Sequence, residues 1–140
     1  MFKLSKKTEY GLIALQHMMT MKDPCVATVK EIAERHHIPR PLLAKICQQL
    51  AKSKLIQSVQ GSRGGYTLKK DAAQISLAAV MEALEGPIHI VDCHDGRNIC
   101  DRDEICTLKF GLNPVEEKLT AFLQGVTLAA VTPNIHGENV

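Results

Sequence analysis

No stretch of this sequence approaches the ~18 consecutive apolar residues of a membrane span, so no membrane segment is expected. Its start, MFKLSKKTEYGLIALQHM, turns charged at once and carries no small-residue cleavage site, unlike a secretory leader. A cytoplasmic location is the expectation. The cysteine count is odd, at five, and a reducing cytosol disfavours structural disulfides, so a disulfide framework is a poor account of the thiols. The glycine-rich GSRGG lacks the Gly-Lys-Ser/Thr ending of a phosphate loop and opens no helix. Neither a nucleophile–base constellation nor a two-carboxylate arrangement can be found, so no catalytic residue is assigned and an enzyme is not expected. The paired C-x-x-C knuckles of a zinc ribbon are also missing. Asp95, Asp101, Asp103 and Glu104 lack the alternation and closing Glu of a calcium loop.

What is present divides in two. The 140 residues, 45% hydrophobic, suffice for one core or for a domain with a dimerisation element. The net charge of +2 conceals thirteen Lys and Arg against four Asp and Glu in residues 1 to 70, and four against eleven in residues 71 to 140. The first half, at +9, suits a polyanion, and the second, at −7, does not.

The basic half carries a definite order of elements. Leu12, Ile13, Leu15, Met18 and Met19 have helical spacing, with Ser5 placed as N-cap and DPC at residues 23 to 25 as the stop. Thr28 and Glu31 have capping-box spacing at the start of a short second helix. After IPRP, a third helix presents Leu43, Ile46, Cys47 and Leu50 on its apolar face, with Pro41 in its first turn. LIQSV and GYTL are short strands joined by QGSRGG, whose glycines permit a tight hairpin tip. Three helices and a hairpin make a winged helix-turn-helix, so the fold class is mainly α with a small β-hairpin wing.

In that architecture the third helix enters the major groove while flanking groups hold phosphates. The candidate entering surface is Arg40, Leu42, Ala44, Lys45 and Gln48. Gln48 can pair bidentately with adenine, and Lys45 can reach guanine or phosphate. Arg63 at the hairpin tip is placed for the adjacent minor groove. Thr28, Gln60 and Ser62 complete the candidate DNA contacts, and Lys3, Lys6 and Lys7 are set to meet phosphate. The expected partner is a double-stranded DNA operator. Simple solvation is the lesser alternative for Arg40 and Arg63, because helix, hairpin and charge agree.

Beyond the wing, LAAVMEALEG is a fourth helix capped by Ser76. Asn113 as N-cap, Pro114 at N1 and Glu116 at N3 then open a fifth. Its stripe of Val115, Leu119, Phe122, Leu123 and Val126 is apolar enough to be expected against a twin subunit, in a homodimer, with packing on its own domain as the alternative. Between these helices lies CHDGRNICDRDEIC, with Cys93, Cys100 and Cys106 separated by six and five residues. Thiolates suit iron-sulfur clusters and zinc alike, and this wide spacing lets a loop wrap a larger inorganic core, leaving a fourth position for a weaker ligand. Cys47 is read as core, and Cys25, after a proline, as a partly exposed loop thiol. His36 and His37 are read as a solvated helix end.

LSKKTEYGLIAL at the start, GGYTLKKDAAQIS after the wing, VMEALEGPIHIVDC into the loop, and the three cysteines before a long amphipathic helix resemble the IscR and NsrR type of bacterial winged-helix regulator, through about Val131. EGPIHIVDC is most similar to the branch that regulates the SUF iron-sulfur assembly system. The resemblance implies a homodimeric transcription factor whose cysteines hold an iron-sulfur cluster, 2Fe-2S or 4Fe-4S, whose state alters DNA binding. It divides the chain into a DNA-binding domain at 1–85, a cluster loop at 86–112, a dimerisation helix with a terminal turn at 113–131, and a tail at 132–140. In the nitric-oxide-sensing relatives a carboxylate ahead of the position of Tyr10 completes the cluster from the opposite subunit, which makes Glu9 the candidate fourth ligand; a helix-dipole partner is the plainer role. This chain departs from IscR-like proteins at Ala44, where they carry glutamate, at Gln60, often arginine, and at Lys109, where they carry a histidine ligand. His94 and His89 are the remaining imidazoles near the loop. An electron carrier, or a repressor with a zinc-bound or empty loop, are the competing functions.

Overall fold

The computed structural model describes residues 2–21, 26–62, 64–97 and 100–133. Helix α1, Lys6–Thr20, starts where the Ser5 hydroxyl accepts the Thr8 amide at 3.1 Å. Its inward face, Gly11, Ala14, Leu15 and Met18, packs against α3, Arg40–Lys52, and α4, Leu77–Glu85. Helix α2, Val29–His36, opens on the expected capping box, with both the Thr28 and Glu31 side chains in place. It ends as His37 enters the left-handed region at φ 54 and the Ile38 amide bonds back to Ala33 O, which turns the chain into α3. Fully buried Leu15, Ile32, Leu43, Ile46, Leu50, Ile56, Ile75, Val80 and Leu128 form one core under these helices. Cys47 lies within it with no exposure, as its position on the apolar face of α3 implies.

The wing is an antiparallel pair, β1 (Ile56–Val59) and β2 (Gly65–Leu68), with Ile56 opposite Leu68 and Val59 opposite Gly65. It is tied down from an unexpected side. Ala27 and Tyr66 exchange main-chain hydrogen bonds of 2.9 and 2.8 Å, so a single antiparallel bridge ties the approach to α2 to the free edge of β2. A Cβ on Gly65 would run into the Ala27 carbonyl, which is why that position carries none.

Past the 3-10 turn Ala72–Gln74, Ser76 caps α4 as expected. The cysteine loop, with a 3-10 turn at Asp92–Asp95, leads to α5, Asn113–Gly125. Here the sequence expectation needs correction. Pro114 sits in the first turn, but Asn113 is already helical, the cap is Leu112, and no side chain caps the helix. Main-chain bonds from the preceding turn, Leu112 N to Leu108 O and Asn113 N to Phe110 O, run directly into α5 and make an N-cap side chain unnecessary.

The apolar stripe of α5 also divides. Leu123 is buried and Leu119 and Val126 are half-buried where α5 meets α4, whereas Val115 and Phe122 are 51% and 66% exposed. The chain then folds back on the DNA-binding half: Leu77 N donates to Val126 O, and Leu128 N to Ile75 O at 2.7 Å. Thr127 caps a final helix, α6 (Leu128–Val131), whose Leu128 fills the core and whose Val131 carbonyl accepts from Gln16. The terminal turn therefore belongs to the same core as α1. Among the described residues no helix is long and apolar enough to cross a membrane.

Candidate nucleic-acid interface and cysteine loop

Because Leu43, Ile46, Cys47 and Leu50 turn inward, the helical period leaves Arg40, Lys45 and Gln48 outward and exposed, with Leu42 and Ala44 half-buried between the faces. Leu42, Lys45, Gln48, Gln49 and Lys52 line one open groove together with Lys7. Arg40 lies at the first residue of α3, outside that groove's lining. Gln60 and Ser62 are exposed at the wing tip, Thr28 uses its hydroxyl to cap α2, and Arg63 and Cys25 lie outside the described residues.

The three N-terminal lysines are not equivalent phosphate donors. Lys6 pairs with Glu9 at 2.8 Å, a hydrogen bond that raises the lysine's pKa. Lys7 donates to Leu84 O at 2.7 Å, placing its cation at the carbonyl end of α4, where the helix dipole favours it. Lys3 is exposed. Glu9, the candidate fourth ligand, lies in the first turn of α1 with Lys6 as its described partner.

The loop thiols differ in setting. Cys93 sits half-buried in the Asp92–Asp95 turn, and Cys100 and Cys106 are exposed. Among the described residues no three His, Cys, Asp or Glu side chains are gathered in a metal-binding geometry. The donor set nonetheless fits a thiophilic centre. All three sulfurs are free thiols, and the segment carrying Cys100 and Cys106 is exposed and without helix or strand. Lys109 pairs with Asp103, whose hydrogen bond is the main reason the lysine's pKa is raised; the negative charge available at Asp103, Cys93 and Cys106 adds to it. An ammonium close to two of the thiols can offset thiolate charge, but as a protonated amine it is no iron ligand.

The firmest feature of the loop was not legible in the sequence. Glu116 reaches back across it to accept hydrogen bonds from His94 Nδ1 at 2.8 Å, the Ile90 amide at 3.0 Å and His89 Nδ1 at 3.1 Å. Burial pushes the Glu116 carboxyl up, but the bonds from His94, Ile90 and His89 and the charge of His94 outweigh it and hold the pKa at about 2. His94 Nε2 meets the Lys109 carbonyl at 2.8 Å. Both partners of His94 are acceptors, an arrangement that favours the doubly protonated ring, and its pKa is raised, first by Glu116 and then by that carbonyl. His94 thereby acts as a clamp, with both ring nitrogens engaged by Glu116 and the Lys109 carbonyl. Glu116 at N3 resembled an ordinary helix-capping carboxylate, and no local spacing discloses partners 22 to 27 residues away.

A second histidine pair corrects the reading of His36 as solvated. His36 Nε2 lies 3.0 Å from His17 Nδ1, the rings meeting edge to face at 5.2 Å between centroids. Both pKa values are lowered, chiefly by burial; the partner His36 and Arg35 add to this at His17, and Arg35 and His37 at His36. His37 is exposed. In the core, burial pushes the Cys47 thiol up to about 11.

Three comparisons bear on this arrangement. The sequence profile of the Rrf2 family, described as iron-dependent transcriptional regulators, matches residues 4–134. The HTH-type transcriptional regulator NsrR of Oceanobacillus iheyensis is 32% identical over 132 residues, covering 94% of this chain and 90% of that protein. Among solved structures, T. potens IscR superposes with a TM-score of 0.69 at 26% identity, over 92% of this chain and 85% of that one. CymR, the global cysteine regulator of B. subtilis, superposes with a TM-score of 0.72 at 23% identity, over 94% and 96%, and shares the winged-helix fold.

Proposed function

The chain belongs to the Rrf2 family of transcriptional regulators, and from that premise we propose that it is a cytoplasmic, homodimeric repressor or activator that reports cluster status to an operator. Its relatives are regulators and not enzymes. The observation that carries the sensing part is the set of three free thiols, Cys93, Cys100 and Cys106, on a loop pinned to α5 by Glu116 and His94. Those thiols are the proposed ligands of an iron-sulfur cluster, with Glu9 of the partner subunit as the fourth. When bound, the cluster supplies a cross-link among the thiolates that oxidant, nitric oxide or iron shortage can remove.

The remaining steps belong to the protein's own residues. Arg40, Leu42, Lys45 and Gln48 face the major groove, Lys45 and Arg40 displacing counterions from phosphate while Gln48 reads a base edge. Gln60 and Ser62 hold the neighbouring backbone from the wing, Arg63 enters the adjacent minor groove, and Thr28 fixes the start of α2 beside it. Val115 and Phe122, the exposed part of the α5 stripe, pack against a twin helix and set the spacing of the two recognition helices. Because α5 carries both that face and Glu116, a change in the order of residues 93–106 is felt at the dimer seam.

The test is anaerobic reconstitution with iron and sulfide, followed by the visible spectrum and by operator titration of the loaded and apo forms. The expected result is a coloured protein whose two forms differ at least ~10-fold in affinity at an operator, about 1.4 kcal/mol of coupling. Cys93→Ala should abolish the colour, and Glu9→Ala should alter the spectrum and shorten cluster lifetime in air. A colourless zinc-bearing protein would support the zinc reading of the loop, and equal affinities would favour an electron carrier or a structural centre.

A further inference from the structure

Away from the loop and the groove, one pair of side chains has the placement of a ligand set. His17 comes from the last turn of α1 and His36 from the last residue of α2. The two rings line a cleft of about 260 Å³ with Ile13, Gln16, Thr20 and Arg35. We propose that His17 Nδ1 and His36 Nε2, 3.0 Å apart at this cleft, form a binding site for a divalent late transition ion, of the nickel or copper class, that staples α1 to α2.

The separation carries the argument. Two imidazole nitrogens each about 2.1 Å from one ion and 3.0 Å from each other subtend an angle of roughly 90°. That is the cis angle of tetragonal copper(II) or nickel(II), reached if the rings turn with the nitrogens kept at this separation; opening them to about 3.4 Å would give the tetrahedral angle of zinc, so the affinity order for nitrogen donors, not the distance alone, selects the copper and nickel class. In the ion-free protein one ring donates to the other along the nitrogen–nitrogen line. To share an ion, both rings turn so that their lone pairs meet beside that line, and the shared proton moves to the far nitrogen of its own ring. The terminal torsion of histidine is broad, so the rotation is inexpensive. No proton leaves the neutral pair. Neither ring has another hydrogen-bond partner among the described residues, so the far nitrogens, His17 Nε2 and His36 Nδ1, are available to carry it.

The surroundings discriminate. Arg35 on α2 lines the cleft and opposes a cation, as His37 does when protonated; Glu31, one turn earlier on α2, faces His17 with the opposite sign. The Thr20 hydroxyl donates to the His17 carbonyl at 2.7 Å and keeps its oxygen lone pairs. Two protein nitrogens, with water or the neutral oxygen of Thr20 in the other positions, describe the site, which favours ions high in the affinity order for nitrogen donors.

The experiment uses untagged full-length protein carrying Cys93→Ser, Cys100→Ser and Cys106→Ser, so that the loop thiols do not compete. Nickel(II) chloride is titrated calorimetrically, and copper(II) chloride is followed by electron paramagnetic resonance. One site per chain is expected, with nitrogen coupling on copper, weakened at least tenfold by His17→Gln or His36→Gln and unchanged by His37→Gln. Nickel should also raise the thermal midpoint of the parent and not of either glutamine variant. Glutamine variants that unfold would leave the parent's nitrogen coupling and one-to-one binding as the decisive readout. Affinity indifferent to His17 and His36, or weakened by His37→Gln instead, would overturn the assignment.

Discussion

Replacing Glu116 by alanine should free the cysteine loop without unfolding the domain. The carboxylate accepts three hydrogen bonds, from His94 Nδ1, the Ile90 amide and His89 Nδ1, and its side chain is only 17% exposed. A hydrogen bond to a charged group contributes about 1.5–3 kcal/mol. The loop is a surface element, so the lower end applies to its local opening, about 1.5 kcal/mol, or roughly tenfold in the opening equilibrium. Amide hydrogen exchange at Ile90 reads this directly, because that N–H is one of the three donors. The expected outcome is about tenfold faster exchange at Ile90 in apo Glu116→Ala, a smaller change in Glu116→Gln, which keeps an acceptor but loses the charge, and none in Glu117→Ala, whose side chain is exposed. Core amides of α3 should be unaffected. Exchange at Ile90 within twofold of the parent in Glu116→Ala would refute the clamp, and with it the route proposed from loop to α5.

Gly65→Ala should lower the urea midpoint by the equivalent of about 1–3 kcal/mol with an unchanged slope, because its Cβ meets the Ala27 carbonyl, whereas Gly125→Ala, with open space around it, should not destabilise. Iodoacetamide applied to native apo protein should label Cys93, Cys100 and Cys106 and spare Cys47, whose burial raises its thiol to about 11; early labelling of Cys47 in peptide mass spectra would contradict its place in the core. In metal-free protein the lowered pKa values of His17 and His36 mean that the unfolded chain binds more protons just below the ordinary value of 6.5, so stability is present above that pH and is lost as pH falls through it. Thermal midpoints between about pH 7 and 5 should show that loss, and the His17→Gln and His36→Gln variants should show less of it. Lys45→Ala should weaken operator binding and reduce the slope of log affinity against log salt by about 1, with the slope unchanged if the side chain faces away from phosphate.

Much of the fold was legible residue by residue. Ser5, Thr28 with Glu31, and Ser76 announce three helix starts because capping acts within four residues of chain. The inward face of α3 follows from a period of 3.6, and the two strands of the hairpin from their residue types around a glycine-rich tip, signals that are also local. The exposed Arg40, Lys45 and Gln48 are simply what remains once Leu43, Ile46, Cys47 and Leu50 are buried. The three loop cysteines were visible for the same reason: their signal is residue type and spacing.

Other features depend on which surfaces meet, and no window of sequence contains both partners. Glu116 had the spacing of a cap, yet packing of α5 on α4 carries it to His94, His89 and the Ile90 amide. The α5 stripe had one period, but contact with α4 took Leu123 and left Val115 and Phe122 outside. Lys7 had the charge for a phosphate and found the carbonyl end of α4, 77 residues on. Leu128 filled the core from the far end of the chain, and His17 met His36 where α1 and α2 close. A local period specifies which side of an element is apolar; only the assembled core decides which polar group on the other side finds a partner, because that pairing is a matter of distance in space and not along the chain.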